Sequence, residues 1–148
     1  KTQNQIIDLI QIHDRIIMLG HGTPHGLLSV NQFPGSGHII NSEIVPYLKR
    51  TENIFIWCYA SDFVSRYNLK GFCSGMFISE VGEAKYCGLP DTILETVTIS
   101  NNYFSSLVGE VINEPLSVIY EHVMNNYELI IEDNTVANYN YDRLYLAE

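Results

Sequence analysis

At 148 residues, with 46% apolar and 17% charged residues, the chain carries enough hydrophobic material for one ordinary core and too little charge for a disordered polymer. Its formal net charge of −9, eight Lys and Arg against 17 Asp and Glu, argues against nucleic acid and against anionic membrane surfaces, which both draw on basic residues. Three cysteines, an odd number, make no disulfide framework and point to a reducing, cytoplasmic setting, while no signal-peptide pattern and no apolar run of roughly 18 residues is present. Residues 1–148 read as a single domain; with Lys1 rather than Met at its start, a domain cut from a longer protein is the other reading.

In chain order, residues 3–13 place Ile6, Ile7, Leu9 and Ile10 at helical spacing, though so much Ile leaves a strand open. Asp14-Arg15 breaks the pattern. Ile16-Ile17-Met18-Leu19 is then a short apolar run of the buried-strand type, and it ends on Gly20-His21-Gly22. Two glycines and Pro24 make residues 22–26 a loop, and residues 27–30 and 37–40 predict a small hairpin around residues 31–36. A helix capped by Asn41 or Ser42 runs to Lys49, with Pro46 requiring a start near Ser42 or later. The second apolar run, Asn53-Ile54-Phe55-Ile56-Trp57, ends on Cys58.

Beyond it, Ser61 or Asp62 opens a helix to Tyr67, and residues 74–79 predict a third buried strand. Residues 80–87 predict a helix stopped by Gly88-Leu89-Pro90. Thr92-x-x-Glu95 has the form of a capping box, with one short helix over 91–100 and another over 101–113. Pro115 starts a further helix to Asn125. Residues 128–132 form a short apolar run, and residues 134–148 read as loop with a short helix or strand near Leu144. Strands alternating with helices predict an α/β domain of three layers around a largely parallel sheet.

The two apolar runs belong together. His21 and Cys58 are 37 positions apart (58 − 21), room for a hairpin and a helical crossover before a parallel return. In open α/β sheets working groups collect outside the carboxyl ends of the strands. A thiolate there needs a partner base and oxyanion donors. Gly22 lets backbone approach closely, and its N–H with that of Cys58 can serve as the donors.

A strand ending in His-Gly followed by a strand ending in Cys resembles the caspase-like (clan CD) cysteine peptidases, which include caspases, metacaspases, clostripain and the CHAT domains. Gly20-His21-Gly22 is most similar to the metacaspase motif, and the resemblance spans residues 15–79. It implies a caspase-like fold and hydrolysis of peptide bonds in a protein or peptide substrate by a Cys58–His21 dyad, with no third member, no cofactor and no metal. A regulatory partner or adjacent domain fits the family as well. By analogy Asp62 and Glu80 are candidates for holding a basic P1 side chain; each also reads as an ordinary acid at a helix start.

The plainer readings stay open beside this one. A Cys at the end of an apolar run is commonly an inert buried hydrophobe. The fold is also compatible with a catalytically inactive interaction domain. His21, His25 and His38 offer a third outcome, a small metal-binding domain. Cys73 and Cys87, 14 apart, read as structural, and Trp57, which strand alternation turns away from the Cys58 side chain, reads as core.

Overall fold

A computed structural model describes residues 1–29 and 37–148 of the chain, so the expected turn at 31–36 and Val30 lie outside the described residues. The chain separates into two compact units, residues 1–76 with 145–148, and residues 77–144.

The first unit begins with α1 (Gln3–Gln11). Thr2 caps it in a reciprocal capping box with Gln5, and Ile6 and Ile10 bury one face, which settles the helix–strand ambiguity. β1 (Arg15–Leu19) follows, then β2 (Gly22–Thr23), β3 (Gly26–Leu28) and β4 (His38–Ile40), which form an antiparallel three-stranded sheet in the order β2-β3-β4. α2 (Val45–Leu48) is shorter than expected. The Asn41 side chain accepts the Glu43 N–H at 2.9 Å and folds residues 41–43 into a turn, so the helix starts late enough for Pro46 to fall in its first turn. β5 (Glu52–Ile56), α3 (Ala60–Arg66) and β6 (Gly71–Ser74) complete the run, and β7 (Leu144–Ala147) joins from the far end of the sequence.

The main sheet has the order β1-β5-β6-β7, with β1, β5 and β6 parallel. Met18, Phe55 and Cys73 lie level with one another on one face. They share a core with Ile6 and Ile10 of α1, Val45 and Leu48 of α2, and Phe63 and Val64 of α3. Strand order advances one way from β1 through β5 to β6, so right-handed crossovers bring both connecting helices to the same face. Ile54, Ile56 and Phe72 point to the other face and are buried too. That face is buried at β5 and β6 only: Ile17 and Leu19, level with Ile54 and Ile56, are exposed, so β1, at the edge of the sheet, is not the fully buried strand its apolar run predicts.

The third strand sits earlier than expected. Pairing of Ile54 with Phe72 and Phe55 with Cys73 fixes it at Gly71–Ser74. Only residues 67–70 separate α3 from β6, so the return to the sheet edge brings Phe72 and Cys73 level with β5 before the more apolar Met76-Phe77-Ile78 is reached.

The second unit is helical: α4 (Val81–Tyr86), α5 (Leu94–Glu110), α6 (Leu116–Tyr127), a 3-10 turn (Glu128–Ile130) and α7 (Thr135–Tyr141). The two helices expected over 91–113 are one. Val97, Ser100, Phe104, Leu107 and Val108 form a single buried stripe across Asn101-Asn102, and no Gly or Pro interrupts it. The Thr92–Glu95 capping box does not form; Ile93 occupies the cap position without a side-chain bond. α7 was not legible as a helix among Asn and Tyr residues, yet Asn134 caps it by accepting the Ala137 N–H at 2.9 Å. Phe104 meets Phe77 and Tyr127 edge-on or tilted, at 5.0 and 5.6 Å between ring centres. The buried Asn140 accepts the Ile78 N–H at 2.7 Å and donates to the Ile78 carbonyl at 2.9 Å, acting as a strand neighbour for one residue.

Candidate active site

Residues 21 and 58 arrive at one edge because their strands are neighbours. β1 and β5 pair in parallel with Leu19 level with Ile56, and the Gly20 N–H extends the ladder by donating to the Ile56 carbonyl at 3.1 Å. His21 and Cys58 each stand two residues past that last pair. Parallel strands run about 4.8 Å apart, so the two chains leave the sheet side by side. His21 is exposed and Cys58 half-buried, which leaves the imidazole open to solvent and the thiol partly so.

Each glycine of the Gly-His-Gly motif has a local cause. Gly20 has φ +153°, a conformation that L side chains rarely adopt, and it turns the chain out of β1 into the hairpin. Gly22 is required by space: a Cβ there would lie 2.1 Å from Trp57 Cδ1 and 2.8 Å from the Gly26 carbonyl. The hairpin strand therefore rests directly on the indole. Leu28 N–H donates to the His21 carbonyl at 2.8 Å. In an antiparallel ladder bonded and non-bonded pairs alternate, so the next pair, Gly22 with Leu27, directs the Gly22 N–H away from β3.

Beyond Cys58 the chain turns sharply. The Ala60 N–H donates to the Trp57 carbonyl at 3.1 Å, and Tyr59 between them is left-handed at φ 66° and ψ 27°. A tyrosine there is unusual, because its Cβ crowds the carbonyl in this conformation. The turn is held by its surroundings. The Tyr59 N–H donates to the Gly75 carbonyl at 3.0 Å, and the Ser74 hydroxyl donates to the Trp57 carbonyl at 2.9 Å. Cys58 thus sits in an over-determined strand–turn–helix corner, the kind of place where backbone strain tends to accompany function.

The other candidates fall in different places. Asp62 is exposed in the first turn of α3, one turn after Cys58. Glu80 belongs to the second unit and caps α4, accepting the Glu83 N–H while Glu83 accepts the Glu80 N–H at 3.2 Å. His25 Nδ1 accepts from the Arg66 guanidinium at 2.8 Å, and His38 Nε2 lies 3.1 Å from the Thr23 hydroxyl. Among the described residues no group of three His, Cys, Asp or Glu side chains is placed to hold a metal ion. Cys73 is buried, and burial pushes its thiol up to about 12 from an ordinary 9.0, so it stays protonated and unreactive near neutral pH.

Sequence reasoning missed Trp57 and Arg66 as parts of this corner; Tyr59 and Ala60 were expected to shape the turn beyond Cys58, as they do. A large aromatic directly before the cysteine and a glycine directly after the histidine were the available signals for the first. Nothing in the residue type marks Tyr59 as left-handed.

Compared with protein-family models, with curated proteins and with solved structures, the chain matches none of them. No described helix is long and apolar enough to cross a membrane.

Proposed function

We propose that the chain is a cysteine endopeptidase domain of the caspase-like type, its sheet and helices a version of that three-layer fold. The observation that supports it most is the in-register pairing of β1 with β5, which delivers His21 and Cys58 to equal positions at the carboxyl edge of a parallel sheet. A cysteine nucleophile needs a base beside it. In this reading the Cys58 thiolate attacks the carbonyl carbon of a peptide bond and the carbonyl oxygen takes up the negative charge. The amides of Gly22 and Cys58 hold that oxyanion. His21 delivers a proton to the departing amine as the C–N bond breaks, leaving a Cys58 thioester. Water, deprotonated by His21, then attacks the thioester, releases the acid and restores the thiol. The substrate is a protein or peptide, and exposed Asp62 favours a basic side chain at P1.

Peptide cleavage tests this directly. The wild-type chain, incubated with a mixture of unstructured peptides, is expected to cut them and to accumulate a thioester on Cys58 visible by mass spectrometry. Cys58→Ala and His21→Ala should each lower the rate by at least about a hundredfold, the scale of a lost nucleophile or acid–base group. Unchanged cleavage by Cys58→Ala overturns the assignment; absence of cleavage by the wild type leaves the fold as an interaction domain.

A further inference from the structure

Trp57 ties the histidine-bearing hairpin to the cysteine-bearing strand from the inside. Its indole N–H donates to the Thr23 carbonyl at 3.1 Å. Its ring lies against Gly22, where no side-chain atom would fit. Phe55 and Phe63 pack edge-on to it, each 5.6 Å between ring centres, so the ring has no room to swing. Its backbone is equally fixed, since its carbonyl accepts both the Ala60 N–H and the Ser74 hydroxyl. Residue 57 is joined to Cys58 by one peptide bond, and Thr23 is two residues from His21. A rigid body thus runs from the cysteine to the loop of the histidine. At the hairpin tip the Arg66–His25 bond fastens the same loop to α3, the helix that follows Cys58.

We propose that Trp57 is a positioning residue whose buried indole sets the spacing between His21 and Cys58 by bracing the Gly22–Thr23 backbone. The proposal rests on the dyad reading above. Misplacing a reacting group by about 1 Å costs on the order of a hundredfold in rate, so a brace of this kind controls reactivity without touching substrate. A tryptophan that only fills the core would support stability alone.

The probe is iodoacetamide, whose iodide the Cys58 thiolate displaces to form an S–C bond, with the labelled residue located by mass spectrometry across a pH series. In the wild-type protein Cys58 is expected to react fastest, and His21→Ala to slow it and move its profile up towards that of an ordinary thiol. Trp57→Phe, and an isostere carrying sulfur in place of the indole nitrogen (3-benzothienylalanine), are each expected to slow labelling by about ten- to a hundredfold and to move the profile the same way. Adding His21→Ala to either should cost little more, because the coupling is already lost. Should Trp57→Phe not fold, the isostere decides, since it keeps the ring and removes only the donor. If both variants keep the wild-type rate and profile while losing thermal stability, Trp57 is a core residue and the proposal is wrong. A wild-type profile that ignores His21→Ala overturns the dyad and the brace with it, and is read before Trp57 is changed.

Discussion

Gly22 is where a single hydrogen atom decides the geometry of the corner. Its missing side chain lets the hairpin backbone lie on the Trp57 ring, and the obstacles to a Cβ are a packed indole and a backbone carbonyl, neither able to retreat. Gly22→Ala should therefore cost about 1–3 kcal/mol, the usual penalty of overpacking, measured as a lower midpoint of urea unfolding. Cys73 makes a second prediction, with its sign fixed by burial. Its folded value is raised above the ordinary one, so the folded chain holds its proton where the unfolded chain has released it. The stabilisation is whole below about pH 9 and is lost as pH rises through about 12. Against Cys73→Val, whose side chain does not titrate, the wild type should lose about 1.4 kcal/mol per pH unit across that window, readable in unfolding curves taken at successive pH values. At this scale the sequence marked residues 21 and 58 as the ends of neighbouring strands, because a histidine or cysteine closing an apolar run stands out. It hid the partner of Trp57, a backbone carbonyl 34 positions away that no residue type announces.

At the scale of elements, β5 was legible because a strand covered on both faces is a continuous apolar run, β1 because its run is as apolar although Ile17 and Leu19 are exposed, and the β3–β4 pairing because loop residues lie between its strands. β6 was misplaced because position in a sheet is set by the neighbour's register, here Ile54 and Phe55, and not by local hydrophobicity. α7 was overlooked because its stability is tertiary: Val136, Ala137 and Asn140 are buried, while the exposed positions are poor helix formers. Asn140 shows how far such support reaches. It satisfies both backbone groups of Ile78, 62 positions away, and Ile78 is wholly buried. Asn140→Leu leaves that N–H and carbonyl without partners in a dry core. The expected cost is about 2–4 kcal/mol, measured by urea unfolding. Asn140→Asp, which can accept from the N–H but not donate to the carbonyl, should also be destabilised; equal stability of all three proteins would show that water replaces the amide.

For the whole molecule, the notable feature is the route of the chain. The four-stranded sheet takes three strands from before residue 77 and its fourth, β7, from Leu144–Ala147. Residues 77–144, with their own core of Ile78, Ala84, Val97 and Val136, are in effect inserted between the third and fourth strands of one sheet. No local pattern in the sequence reveals this, since a four-residue strand after α7 looks like any tail.

The order of synthesis gives that route a consequence. A ribosome delivers β1, β5 and β6 early, together with the strand ends that carry His21 and Cys58, but β7 emerges only after the helical unit has been made. Until then β6 presents an open edge, and pairing between distant segments is the slow part of folding. The nascent chain passes through a period in which the corner of His21 and Cys58 precedes the strand that finishes its sheet, and that interval is when the chain is most open to chaperones and to pairing with the wrong strand.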